Sequence, residues 1–165
     1  MKKNNAYTLY LVRHGQGVND ATNLYDFQRP LSPKGIYKTT QLRKKWEELS
    51  LVPPDCILCS SALRAQQTYQ LLAPLYPNAE TFIKDSLYLA PVARLKETLE
   101  DMDPIFQRIM IIGHNKGLEE FMHYLSPENG PDVPLKTASC GVLSITGHPW
   151  ILTQGDGKLE QVINL

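Results

Sequence analysis

Short apolar runs alternate with amphipathic helical stretches along this chain, and that alternation restricts its fold more than any other feature. Residues 8–12 (TLYLV), 56–60 (CILCS) and 108–112 (RIMII) are β-prone and apolar with little internal alternation. A strand of that kind has to be covered on both faces, which is the condition of a largely parallel sheet flanked by helices. Between the runs, Ser32 is placed to cap a helix opening at Pro33, with Ile36, Thr39, Leu42, Trp46 and Leu49 along one face. Residues 62–75 predict a second helix packing through Leu63, Leu71, Leu72 and Leu75. Residues 91–102 set Val92, Leu95, Leu99 and Met102 at helical spacing, and residues 118–125 predict a fourth helix. Residues 80–84 add a short strand, while 141–145 and 150–154 read as a late antiparallel pair. The expectation is an α/β fold: a three-layer α/β/α sandwich with a mostly parallel central sheet and an antiparallel edge strand, in one domain over residues 1–165.

Charge narrows the function. Lys plus Arg and Asp plus Glu are equal at 17 each, so the chain lacks the basic footprint of a non-specific nucleic-acid binder. The run Leu9–Val12 is too short for a signal-peptide core, and no stretch approaches the roughly 20 apolar residues of a membrane span. A cytoplasmic location without membrane contact is expected. Cys56 and Cys59 resemble a CxxC pair, but three residues apart on a strand they point to opposite faces. With Cys140 they read as core residues.

Parallel sheets bind ligands beyond the carboxyl ends of their strands. Three strands here end on Arg13-His14-Gly15, on residues 60–64 (SSALR) and on Gly113-His114-Asn115. Parallel packing would bring two imidazoles and two guanidiniums together, with no acidic member evident. Such a cluster of donors calls for an anion: the Arg fork fits phosphate oxygens in pairs, and an imidazole can donate, accept or attack. Gly15 would let backbone approach the ligand, and the helix after His114 would add free N–H groups. A metal held by His14 and His114 fits poorly, because the arginines repel a cation and no third ligand is placed, so neither metal nor other cofactor is expected. Phosphoryl transfer through a phosphohistidine intermediate fits best. Blander readings compete residue by residue. A single His near a strand is commonly structural, and Arg64 alone could be a surface charge. His123 sits four residues from Glu119 and reads as half of a surface pair, and Tyr88 suits a pocket wall or the core equally.

Four segments in order, LVRHG (11–15), RPLSPKG (29–35), SSALRAQQT (60–68) and IIGHNKGL (111–118), resemble the histidine phosphatase superfamily. Spacing and short length look most like its SixA-type branch, the phosphohistidine phosphatases. The resemblance implies that His14 is the nucleophile, Arg13 and Arg64 the phosphate clamp, and His114 the second imidazole on the transferring group. It places Arg29, Gly15 and Asn115 among the substrate contacts, and offers Asp85 and Asp26 as proton donors. Lys116 stands where relatives carry proline and reads as a solvated cation. Gly17 and Asn19 depart from the phosphoglycerate mutase pattern, which has a hydroxyl residue and a later asparagine. The expected activity is hydrolysis of phosphohistidine, or a related group, on a protein such as a histidine-phosphotransfer domain. The alternatives are a small-molecule phosphomonoesterase and a non-catalytic phospho-binding module, which would not need a nucleophile.

Overall fold

The computed structural model describes residues 7–19, 24–129 and 133–165. Ten elements follow in chain order: β1 (Tyr7–Arg13), α1 (Pro33–Glu48), β2 (Cys56–Ser60), α2 (Leu63–Leu72), β3 (Glu80–Lys84), α3 (Val92–Glu100), β4 (Arg108–Gly113), α4 (Gly117–Leu125), β5 (Ser139–Ile145) and β6 (Gly157–Ile163). The strands form one sheet in the order β3-β2-β4-β1-β5-β6. β1 to β4 are mutually parallel where they pair, and β5 and β6 run antiparallel at one side.

The strands alternate their side chains between two cores, so the apolar runs serve both faces. Leu9, Leu11, Leu58, Ile109 and Ile111 pack with Leu95 and Leu99 of α3 and Leu118 and Phe121 of α4. Tyr10, Val12, Ile57, Met110 and Ile112 pack with Leu42 and Trp46 of α1 and Ala65 and Leu72 of α2. Helices therefore cover both faces, which gives the three layers. Cys56 and Cys59 fall in different cores and all three cysteines are free and buried. The division of helices follows from right-handed crossovers. The chain moves one way across the sheet through α1 and α2, then reverses through α3 to insert β4 between β2 and β1. The reversal puts the later helices on the opposite face. It also leaves a switch point between β1 and β4, whose register pairs Arg13 with Gly113.

Several packing details depart from the sequence pattern. Ser32 does cap α1, its Oγ accepting from Gly35 N at 3.0 Å, and Pro33 opens the helix. The buried row of α1 is Gly35, Thr39, Leu42 and Trp46, however, while Ile36 and Leu49 are exposed. The cause is Gly35: a Cβ there would lie 2.1 Å from Gln16 O, so the backbones touch and that row turns inward. On α2, Leu63 is exposed and the inward position of the first turn belongs to Arg64. The strand expected at 150–154 is not one. Trp150 has φ 62 and is buried, donates from Nε1 to Phe106 O at 2.7 Å, and meets Tyr7 edge to face. Trp150 and Leu152 plug the core as irregular chain, Asp156 closes a turn onto Thr153 N at 2.7 Å, and only then does β6 begin. β6 lies at the sheet edge with only Ile163 buried, so KLEQVI carries too weak an apolar signal to read.

Candidate active site

The ends of β1, β2 and β4 come together at the switch point. His14 N donates to Gly113 O at 3.1 Å, and the His14 and His114 rings lie 4.9 Å apart between centroids. Arg64, on the first turn of α2, reaches between them. Its Nε donates to His14 Nε2 at 3.3 Å and its Nη2 faces His114 Nδ1 at 3.4 Å. His14, Arg64 and His114 are all buried. Arg13, His14, Gln16, Gly17, Arg29 and Thr137 line an open cavity of about 600 Å³, which reaches the cluster at His14 and is within the usual size of a small-ligand site. A Cβ on Gly17 would stand 3.2 Å from Arg64 Cδ and 3.3 Å from Arg29 Nη1, so a side chain there would crowd both arginines.

Hydrogen-bond partners assign the imidazole tautomers. His14 Nδ1 lies 2.6 Å from Gly15 O, which can only accept, so Nδ1 carries the proton and Nε2 keeps its lone pair toward Arg64. His114 Nδ1 faces a guanidinium, which can only donate, so its proton sits on Nε2, 2.8 Å from Ser60 Oγ. Burial is the largest influence on both and holds them neutral. It lowers His14 to about 4, assisted by Arg64, Arg13 and Arg29 and opposed by the Gly15 carbonyl. It lowers His114 to about 3, assisted by His14, Arg64 and Arg13 and opposed by Asp26.

An acidic residue does enter the cluster, contrary to the all-donor pocket expected from the motifs. Asp26, on a 3-10 turn at Asp26–Gln28, accepts from Arg29 Nε at 3.1 Å and Nη2 at 2.5 Å, and from Arg64 Nη2 at 3.0 Å. Tyr88 Oη donates to the same carboxylate. Burial works against its ionisation, but the donations from Tyr88, Arg29 and Arg64 override it and hold the carboxyl well below the usual range. The motifs hid this contact because residues 26, 64 and 88 meet only when two loops fold over one helix end.

The other expected residues are distributed as follows. Arg13 Nη1 donates to Leu135 O at 3.1 Å, while its buried Nε has no partner. Gly15 N is occupied by Thr68 Oγ1 at 3.0 Å. Asn115 Nδ2 donates to Glu119 Oε1 at 2.8 Å and to Leu135 O at 3.0 Å, tying α4 to the loop before β5. Glu119 also accepts from Leu135 N at 2.8 Å, so it faces that loop rather than pairing with His123. Asp85 is exposed at the start of the turn after β3, and Lys116 is exposed at the start of α4. Tyr88 lies half-buried beside the cluster, its ring edge-on to His114 at 5.4 Å and packed against the core of α1 and α2. Sequence reasoning missed Ser60 and Thr68, whose only signal was their place in SSALRAQQT. Among the described residues, no group of three or more His, Cys, Asp and Glu is placed to hold a metal ion.

The model of the histidine phosphatase superfamily (branch 1) matches residues 9–88, a span that includes Arg13, His14, Arg29 and Arg64. The solved structure of a candidate phosphohistidine phosphatase SixA from Nakamurella multipartitia superposes with a TM-score of 0.81 at 25% identity, covering 96% of each chain. The family model and the structural neighbour together support the histidine phosphatase superfamily for this chain. Within that superfamily its likeness is to the SixA-type branch. A protein histidine phosphatase SixA solved with tungstate has a TM-score of 0.75 at 17% identity, over 94% of this chain and 96% of that one, which is a likeness of fold. An uncharacterized chloroplastic protein of Arabidopsis thaliana is 29% identical over an alignment 173 positions long, gaps included, that covers 94% of this chain and 76% of that protein. These likenesses support phosphatase activity. No described helix is long and apolar enough to cross a membrane. His114 lies beyond the matched span, and the sheet brings it beside His14.

Proposed function

We propose that the protein is a phosphatase acting on phosphohistidine carried by a protein, through a covalent intermediate at His14. One observation carries this reading: His14 Nε2 is unprotonated and shares the edge of the Arg64 guanidinium with His114. A phosphoryl group entering there meets a nucleophilic lone pair and cationic donors together, the arrangement that phosphoryl transfer requires. In the first step His14 Nε2 forms a bond to phosphorus as the bond to the leaving nitrogen breaks; that nitrogen keeps the electron pair, and its ring leaves neutral with its proton on the other nitrogen. Gly15 O takes the hydrogen bond of His14 Nδ1 and eases the positive charge that attack creates on the ring. Arg13 and Arg64 donate to the phosphoryl oxygens, and His114, whose N–H is held by Ser60, joins them once its Nδ1 takes up a proton beside the bound anion. Water then attacks phosphorus, Nε2 regains its pair, and phosphate leaves. The open cavity suits a phosphorylated side chain presented by a protein surface. A nitrogen leaving group that is already protonated asks little of a protein acid, in keeping with an ionised Asp26 and an exposed Asp85.

The test is rapid-quench trapping with a phosphohistidine protein and with simple phosphate esters. Wild type is expected to form an acid-labile phosphoenzyme and to turn over the phosphohistidine protein faster. His14→Ala is expected to lose both trapping and turnover while keeping its circular dichroism. Esters winning by orders of magnitude would favour the small-molecule phosphomonoesterase, and activity retained in His14→Ala would remove the mechanism.

A further inference from the structure

We propose that Asp26 is a positioning residue that stays ionised and aims Arg64 at the phosphoryl group, and that it is not the proton donor. The inference rests on the reading that the His14–Arg64–His114 site takes a phosphoryl group. A guanidinium is rigid and planar and offers two forks, an end-on fork of Nη1 and Nη2 and a side-on fork of Nε and Nη2. Asp26 holds the end-on fork of Arg64 at both ends: Nη1 donates to its backbone O at 2.7 Å and Nη2 to its Oδ2 at 3.0 Å. With that fork held, planarity sets the direction of the other. The side-on fork points at His14 Nε2 and His114 Nδ1, at 3.3 and 3.4 Å. Asp26 thus grips Arg64 from the far side and leaves the side facing the imidazoles for an incoming oxyanion.

The rest of the Asp26 environment fits the same role. Oδ1 is occupied by Arg29 Nε and Nη2, and Oδ2 by Arg64 Nη2 and the Tyr88 hydroxyl. A carboxylate accepting from four donors has no proton to give. The Arg64 side chain is only 4% accessible, so a countercharge at its outer fork also relieves the cost of burying it. Tyr88 braces Asp26 through its hydroxyl, which also interacts with Arg64, while its ring packs against His114 and Phe27.

The experiment compares wild type with Asp26→Asn, which keeps the size and removes the charge. Tungstate serves as an oxyanion probe by calorimetry, and p-nitrophenyl and alkyl phosphates serve as good and poor leaving groups. With the charge that holds Nη2 removed, while the backbone O still takes Nη1, the tungstate Kd is expected to rise on the order of tenfold. kcat/KM is expected to fall by a similar factor for both esters. An unchanged Kd with a selective loss on the alkyl ester would make Asp26 the proton donor and overturn the proposal. A lower Kd would make Asp26 a plug that competes with substrate, and would overturn it equally. Tyr88→Phe deletes the hydrogen bond to Asp26, together with the weaker interaction of the same hydroxyl with Arg64, and keeps the ring. It is expected to raise the Kd in the same direction by a factor of about two to three, and no change there would count against the proposal. Tungstate binding is independent of substrate identity, so failure here leaves phosphoenzyme trapping at His14 as a separate test of the proposed function.

Discussion

Acidification is the perturbation that most directly tests how the site prepares its nucleophile. Burial, with three nearby guanidiniums, lowers His14 to about 4, against an ordinary imidazole near 6.5. At pH 5.5 the folded His14 should therefore be roughly 97% neutral, where an unperturbed imidazole would be roughly 9% neutral. The same shift makes folding depend on pH, and its sign follows from proton counting. Between about 6.5 and 4 the unfolded chain takes up a proton at His14 that the folded chain refuses. Stability therefore falls as pH falls through that window, and His14 contributes no pH dependence above it. At pH 4.5 the loss from His14 alone is about 2–3 kcal/mol, or roughly 5–10 °C in melting temperature for a chain of this size. His114, lowered to about 3, adds a loss of the same sign. The assay is imidazole nitrogen NMR on histidine-labelled protein between pH 4 and 8, with His14→Ala for assignment and thermal melts in parallel. The expected spectrum shows the proton on Nδ1 of His14 and no titration above pH 5. A His14 that titrates near 6.5, or carries its proton on Nε2, would refute the reasoning.

Three further predictions concern the scaffold. Gly35→Ala should lower stability by about 1–3 kcal/mol, because the new Cβ would lie 2.1 Å from Gln16 O and backbone would have to move; an unchanged melting temperature would show that α1 does not lie against residue 16 as described. Ser60→Ala removes the partner of His114 Nε2 and should let both tautomers of that ring appear in nitrogen NMR, whereas a single unchanged tautomer would mean that Arg64 alone orients it. Trp150→Phe loses the bond to Phe106 O and some core volume and should cost about 1–3 kcal/mol in denaturant unfolding, with no effect on tungstate binding; equal stability would mean that the segment before β6 is not part of the core.

Much of the architecture is legible in the sequence because strands buried on both faces cannot hide. The apolar runs of β1, β2 and β4 announce a covered parallel sheet, and a parallel sheet gathers whatever follows its strands. His14, Arg64 and His114 can therefore be grouped from the linear pattern. The Ser32-Pro33 start of α1 is legible too, since capping is local. Less local features mislead. Apolar residues near 150 look like a strand, yet Trp150 is used as a plug with left-handed backbone, and the strand that follows is polar because one of its sides has no neighbour. Ile36 and Leu63 look like core residues, but a backbone contact at Gly35 and a buried Arg64 take those places.

By itself, then, the order of residues determined the class of fold, the end of the sheet where chemistry gathers, and which imidazoles and guanidiniums gather there. These depend on hydrophobic period and on strand direction, which a linear pattern carries. Only the tertiary structure decided how each group is presented. The bare Nε2 of His14 depends on a carbonyl one residue on, the tautomer of His114 on Arg64 with Ser60 taking its proton, and the aim of Arg64 on Asp26 and Tyr88. Hydrogen bonds are short-ranged and directional, so partners separated by 38, 54 or 62 residues become visible only when the chain has folded.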